Sequence, residues 1–176
     1  TLIGVGNGFA HLRADGANAE GKAIWVIKGN NTTIENIEFS GCAVPDKNGA
    51  SIRQEGANLK VKKCFFHDNE NGILTGKNDN SEIIIEQSEF AYNGYGDGYS
   101  HNMYIGQIKK LTLRFCYSHH AKIGHCVKSR ANENHIEYNS IMDEWDGTSS
   151  MLIDLPNGGL SYIIGNVLMQ GVNTEN

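Results

Sequence analysis

The chain has 176 residues, a formal net charge of −5, 21 glycines and two prolines. At that length one domain over residues 1–176 is expected, with enough sequence to bury a core without disulfides. The acidic balance argues against a general nucleic-acid binder, and no run approaches the roughly 18 apolar residues of a membrane-spanning helix, so neither nucleic acid nor membrane is an expected partner. No signal peptide is visible and Thr1 is not an initiator methionine, so the chain reads as processed, excised or partly represented.

The opening TLIGVGNGFAHL resembles an early coil of a repeat. Two kinds of apolar burst then alternate along the chain. The first kind is AIWVIKG at Ala23, ASIRQEG at Ala50, GILTGKN at Gly72, NMYIGQI at Asn102, CVKSRAN at Cys126 and MLIDLPN at Met151. Alternation within these bursts predicts short strands with one face in and one face out. The second kind is IENIEF from Ile34, VKKCFF from Val61, IEQSEF from Ile85, LRFCYS from Leu113, IEYNSI from Ile136 and IIGNVL from Ile163, with starts 23 to 28 residues apart. Irregular spacing of a constant unit means fixed strands joined by variable loops. The fourth position of this unit reads Ile37, Cys64, Ser88, Cys116, Asn139 and Asn166. Small groups and amides of that kind suit stacked turns, because an amide hydrogen-bonds along the stack. Turn formers lie between the bursts: GNN at Gly29, GAN at Gly56, KNDN at Lys77 and PNGG at Pro156. Abundant Gly and Asn signals many tight turns, since both tolerate positive φ.

Two or three short strands per unit, stacked in register, predict an all-β chain: a right-handed parallel β-helix of about six to seven coils. Helical repeats need amphipathic runs of about ten residues, and none is present; the leucine-rich consensus is absent too. A solenoid has open ends whose strand edges need cover. No amphipathic capping helix precedes the first coil, so flanking sequence, another chain or self-stacking is expected there.

From His101 to Arg130 the chain carries Lys109, Lys110, Arg114, Lys122, Lys128 and Arg130 and no Asp or Glu, which predicts a local basic surface for an anionic ligand. Setting HNMYIG over HCVKSR by the leading histidines places His101 over His125, Asn102 over Cys126 and Tyr104 over Lys128, on coils about 4.8 Å apart. Leu74 and Arg53 would extend that row one way and Asp154 the other, with Arg130 and His125 flanking Lys128. A lysine beside another cation can act as a base, Arg130 can pair a substrate carboxylate, and Tyr104 or His125 can protonate a leaving oxygen. Proton abstraction α to a uronate carboxylate, with loss of the 4-O-linked sugar, needs those three roles. The competing reading is a solvated row in which Lys128 pairs with Asp154. His101, Asn102, Asp154 and Arg53 would contact substrate, and Tyr99 and Trp145 would stack on sugar rings.

The four cysteines, Cys42, Cys64, Cys116 and Cys126, fit no zinc spacing and are expected to be buried free thiols. His119 and His120, adjacent on the chain, cannot both point one way, so no metal site is expected there. No cofactor is expected, with calcium at Asp143, Glu144 and Asp146 as the alternative to a plain acidic loop.

The whole chain resembles the right-handed parallel β-helix repeat proteins, a group that includes pectate lyases, alginate lyases and chondroitinase B. The stretch VKSRANENHIEYNSI from Val127 is similar to the strand of the alginate lyase and chondroitinase B type in which a Lys-Ser pair precedes an Asn and the end of the coil. That resemblance implies an acidic polysaccharide as partner, β-elimination or epimerisation as the activity, and an extracellular or periplasmic setting. It places Lys128 at the family's base, with Ser129, Asn132 and Asn139 in the surrounding pattern. The next coil departs from the family: it reads MLIDLPNGG, with Asp154, Leu155 and Pro156 where that type carries an Arg, and Arg130 is the available substitute. The rival expectation is a non-catalytic β-helix of an adhesin, phage fibre or filament.

Overall fold

The computed structural model describes residues 1–174, which form 20 strands and, among the described residues, no helix. Three strands make each coil. The first coil holds β1 (Leu2–Ile3), β2 (Ala10–Arg13) and β3 (Ala23–Ile27); the second holds β4 (Thr32–Glu35), β5 (Ile37–Ser40) and β6 (Ala50–Gln54). The third has β7 (Leu59–Lys62), β8 (Phe65–His67) and β9 (Asn71–Thr75), and the fourth β10 (Asn78–Glu86), β11 (Glu89–Ala91) and β12 (Met103–Ile105). The fifth has β13 (Ile108–Arg114), β14 (Tyr117–His119) and β15 (His125–Ser129), and the sixth β16 (Glu133–Glu137), β17 (Ser140–Met142) and β18 (Met151–Asp154). A partial seventh adds β19 (Leu160–Ile164) and β20 (Val167–Met169).

Every third strand stacks in the same sheet. Sheet I is β1-β4-β7-β10-β13-β16-β19, sheet II is β2-β5-β8-β11-β14-β17-β20, and sheet III is β3-β6-β9-β12-β15-β18. All ladders are parallel, for example Thr112 to His135 in sheet I and Phe66 to Phe90 in sheet II. The first kind of burst forms sheet III. Each burst of the second kind contributes to two strands, the end of a sheet I strand and the sheet II strand that follows it.

The corner between those two strands is one residue with positive φ: Asn36, Lys63, Gln87, Phe115, Tyr138 and Gly165 in successive coils. Four of those six are neither Gly nor Asn, so residue type alone does not locate the corner. The next residue anchors it. The Cys64 N–H donates to Ser88 Oγ at 3.1 Å, the Cys116 N–H to Asn139 Oδ1 at 2.9 Å, and the Asn139 N–H to Asn166 Oδ1 at 2.9 Å. Each side chain thus satisfies an amide of the preceding coil that the bend removes from the ladder, and that stabilises the left-handed corner. The expected KNDN turn is instead the start of β10; its ladder to β13 is irregular between Asn78 and Glu82, which absorbs the surplus residues.

The interior is apolar and layered. Phe39, Phe66 and Phe90 stack face to face, with ring centroids 5.2 and 4.7 Å apart, and Trp25 packs edge-on against Phe39. Ser118 follows in that row and ends the aromatic column. The four cysteines are free and buried, and burial pushes the thiols up, to about 11 for Cys64 and about 12 for Cys126. The final strands expose apolar side chains, among them Leu160, Ile163, Val167 and Leu168, and Leu2, Ile3 and Phe9 do the same in the first coil.

Candidate functional site

Register in sheet III aligns Arg53 with Leu74, Leu74 with Tyr104, Tyr104 with Lys128, and Lys128 with Asp154. Alternation within β12 and β15 sends Met103, Ile105, Val127 and Ser129 inward and leaves Tyr104 and Lys128 partly exposed. The outward row therefore carries its chemistry on three successive coils.

Lys128 Nζ lies 3.1 Å from Asp154 Oδ2, and His125 Nε2 lies 3.2 Å from the same oxygen. The other ring nitrogen of His125 is 2.9 Å from Ser150 Oγ, so both nitrogens have partners within the protein. Burial lowers the His125 pKa, Lys128 lowers it further, and Asp154 opposes them. Arg130 Nε donates to the Tyr104 hydroxyl at 2.9 Å, and its Nη1 donates to Asn157 Oδ1 at 2.7 Å. Lys128 Nζ and Arg130 Cζ each lie 5.9 Å from the centre of the Tyr104 ring.

Behind this row stands His101, 1 % exposed and stacked on His125 at 4.6 Å. Its Nδ1 accepts the His125 backbone N–H at 3.0 Å, which fixes the proton of the neutral ring on Nε2. Burial, then the neighbouring His125 and Lys128, push its pKa down to about 3. His101 is thus a buried support beneath the face and not a ligand contact.

Asn102 needs a correction of the same kind. It is 0 % exposed and belongs to an internal ladder. Its Oδ1 accepts the Asn93 N–H, Asn93 Oδ1 accepts the Asn69 N–H, and Asn69 Oδ1 accepts the Cys42 N–H. Its amide nitrogen donates to Ser118 Oγ and to the carbonyls of Phe90 and His119. A chain leaving sheet II for sheet III must satisfy its corner amides, and Asn102 does this from the far side of a loop.

The expected basic surface is also dispersed. Lys109, Lys110 and Arg114 sit on or beside the outward face of sheet I and pair with Glu82, Glu133 and Glu86; Lys122 pairs with Asp68. A coil carries the chain around all three sheets, so a cluster in sequence is spread over several faces. Among the described residues, Arg130 alone of those six cations has no carboxylate partner. Arg53 lies two coils from Tyr104 in the same row, with its Nε unbonded and Glu55 3.9 Å away.

Tyr99 and Trp145 are highly exposed on the loops preceding β12 and β18, the strands that bear Tyr104 and Asp154. The carboxylates beside Trp145 do not converge on a cation. Asp143 is buried and accepts the Ser149 N–H, Glu144 accepts the Tyr117 hydroxyl, and Asp146 pairs with His120 at 3.0 Å. Ser129 and Asn139 of the quoted strand point inward and hold the coil, Ser129 Oγ donating to Asn134 Oδ1 at 2.6 Å. A groove of about 450 Å³ over sheet I, between Asn31, Asn58 and Asn80, contains none of the sheet III row. Sequence reasoning missed Ser150 and Asn157. The signal was available for Asn157, which stands 27 residues after Arg130, one coil length.

No curated protein and no solved structure matches the chain. A family model described as the right-handed β-helix region matches residues 7–141. With that match over most of the chain, and three parallel sheets wound as one solenoid, the chain belongs to the right-handed β-helix family.

Proposed function

We propose that the outward face of sheet III binds an acidic, uronate-containing polysaccharide and cleaves it by β-elimination. The observation that carries this reading is Arg130, a guanidinium with no carboxylate partner among the described residues, whose Nε donates to the Tyr104 hydroxyl at 2.9 Å. Arg53, Lys128 and Arg130 supply positive charge along one row and beside it, which suits carboxylates spaced along a polymer.

The geometry redistributes the roles that the resemblance implies. Lys128 already contacts Asp154, so it serves as a cation facing the uronate carboxylate and not as the base. Tyr104 takes the proton from the carbon α to that carboxylate, and the guanidinium offsets the charge of the phenolate that does so. The C–H electron pair becomes the new C=C bond, the C4–O bond breaks, and the proton on Tyr104 passes to the departing oxygen. His125, with both nitrogens engaged, positions Asp154.

The test is incubation with alginate, pectate and glycosaminoglycans, following the absorbance of unsaturated uronate products and, separately, polymer retention in affinity electrophoresis. Tyr104→Phe is expected to lower product formation by about 10²- to 10⁴-fold with polymer retention unchanged, and Arg130→Ala to weaken both. Retention without product would remove the elimination step. Neither retention nor product with any polymer would overturn the reading.

A second reading, a non-catalytic structural or adhesive element, takes the Lys128–Asp154 pair at 3.1 Å as a contact that holds adjacent coils together. It predicts concentration-dependent end-to-end assembly in analytical ultracentrifugation.

A further inference from the structure

Sheet II carries a second cluster, on the outward face of the first three coils. His11 lies on β2, Glu38 on β5 and His67 on β8, so three successive coils each contribute one side chain. Glu38 Oε1 is 2.9 Å from His67 Nε2 and 3.5 Å from His11 Nε2, and the three ligand atoms all fall within 4.8 Å of one another. Ligand atoms around a tetrahedral zinc ion, with bonds of about 2.0–2.1 Å, stand about 3.3 Å apart. The two separations from Glu38 bracket that value, and a small rotation of the exposed His11 ring adjusts the third.

The surroundings support a site and not a chance meeting. Asp68 Oδ2 is 2.8 Å from His67 Nδ1, the far nitrogen of the ring, so a carboxylate orients the imidazole with Nε2 directed at Glu38. A carboxylate behind a histidine ligand is the arrangement that fixes tautomer and raises donor strength. Phe65 stacks on the His67 ring at 4.3 Å and Phe9 packs near Phe65 at 6.4 Å, which gives the site an apolar wall. Ser40 Oγ, 2.7 Å from His11 Nε2, occupies the remaining side. Its hydroxyl would exchange that bond for one to a metal-bound water, the fourth ligand.

We propose that His11, Glu38 and His67 form a binding site for a divalent transition-metal ion of the zinc type, with Asp68 as the orienting partner and one coordination position open to water. Two imidazoles and one carboxylate favour Zn²⁺ or Co²⁺ over Ca²⁺ or Mg²⁺, which prefer oxygen ligands. Binding displaces any proton shared between His67 Nε2 and Glu38, so uptake of the ion releases protons to solvent. The site spans three coils, so the ion would tie β2, β5 and β8 together at the start of the solenoid.

The test is titration of the chelator-treated full chain with Zn²⁺ by calorimetry and with Co²⁺ by visible absorption. One equivalent of Zn²⁺ is expected, with the intense Co²⁺ bands of a four-coordinate ion. His11→Ala and His67→Ala are expected to abolish both signals, and Asp68→Asn to weaken binding about 10- to 100-fold. Glu38→Gln and His11→Gln, close in shape and on an exposed face, give the same loss if an alanine variant fails to fold. Absence of saturable binding would overturn the proposal. So would binding that survives all of these substitutions, or that disappears only with His119→Ala or His120→Ala.

Discussion

Lys128 and Asp154 are register partners on adjacent coils of sheet III, and their charged groups meet at 3.1 Å with both side chains largely shielded from solvent. The same carboxylate oxygen faces His125 at 3.2 Å. Asp154 therefore balances the cation and orders the histidine. Asp154→Asn is expected to destabilise the fold by about 1–2 kcal/mol in urea unfolding, because the partners remain half-buried without an anion. A double-mutant cycle with Lys128→Met should return a coupling of about 1 kcal/mol.

His101 sets a pH dependence. Its folded pKa, about 3, lies below the ordinary value of 6.5, so the folded state binds fewer protons than the unfolded chain between those limits. The stability tied to its neutral form is complete above pH 6.5 and is lost progressively as pH falls toward 3. The slope approaches about 1.4 kcal/mol per pH unit within that window. His101→Gln keeps an acceptor for the His125 N–H and does not titrate. Its melting temperature should fall less than that of the parent between pH 7 and pH 4, values at which both can be scanned.

The internal amide ladder should be intolerant of truncation. Asn93 accepts the Asn69 N–H and donates to the Phe66 carbonyl, all of it buried. Asn93→Ala leaves a donor and an acceptor unpaired out of reach of water, at a cost of roughly 2–5 kcal/mol in denaturant unfolding.

The corner column makes the opposite prediction. Gln87 is exposed and holds φ at +50°, a conformation that disfavours a side chain. Gln87→Gly relieves that strain and should raise stability by about 0.5–1 kcal/mol, although glycine usually weakens a chain. The reverse change at the equivalent Gly165 should be costly, since an added Cβ would come 2.5 Å from the Tyr138 ring.

Much of the architecture was legible because it depends on repetition. The column from Ile37 to Asn166 and the six first-kind bursts marked two of three strands per coil, and the offset between HNMYIG and HCVKSR matched the ladder that joins Tyr104 to Lys128. What escaped was decided by direction across the coil. Asn102 reads as an outward amide beside a histidine, yet the loop of eleven residues from Tyr92 to Asn102 returns it into the interior. The basic run from Lys109 to Arg130 looked like one surface, and the turns of the coil place it on several. His11, Glu38 and His67 stand 27 and 29 residues apart, about one coil length each, but no local motif marked them, because they meet only through stacking of successive coils.

The stacked phenylalanines bear on how the coils find their order. Phe39, Phe66 and Phe90 form one column, and the next member is Ser118, whose Oγ accepts from the Asn102 amide at 3.1 Å. A chain that docked its units one place out of sequence would press that amide against an aromatic ring and strand its donors, at about 1–3 kcal/mol for each group left unpaired. The repeats are therefore not interchangeable bricks. The change from aromatic to hydroxyl at the fifth coil acts as an index mark, giving an otherwise periodic stack a single correct count.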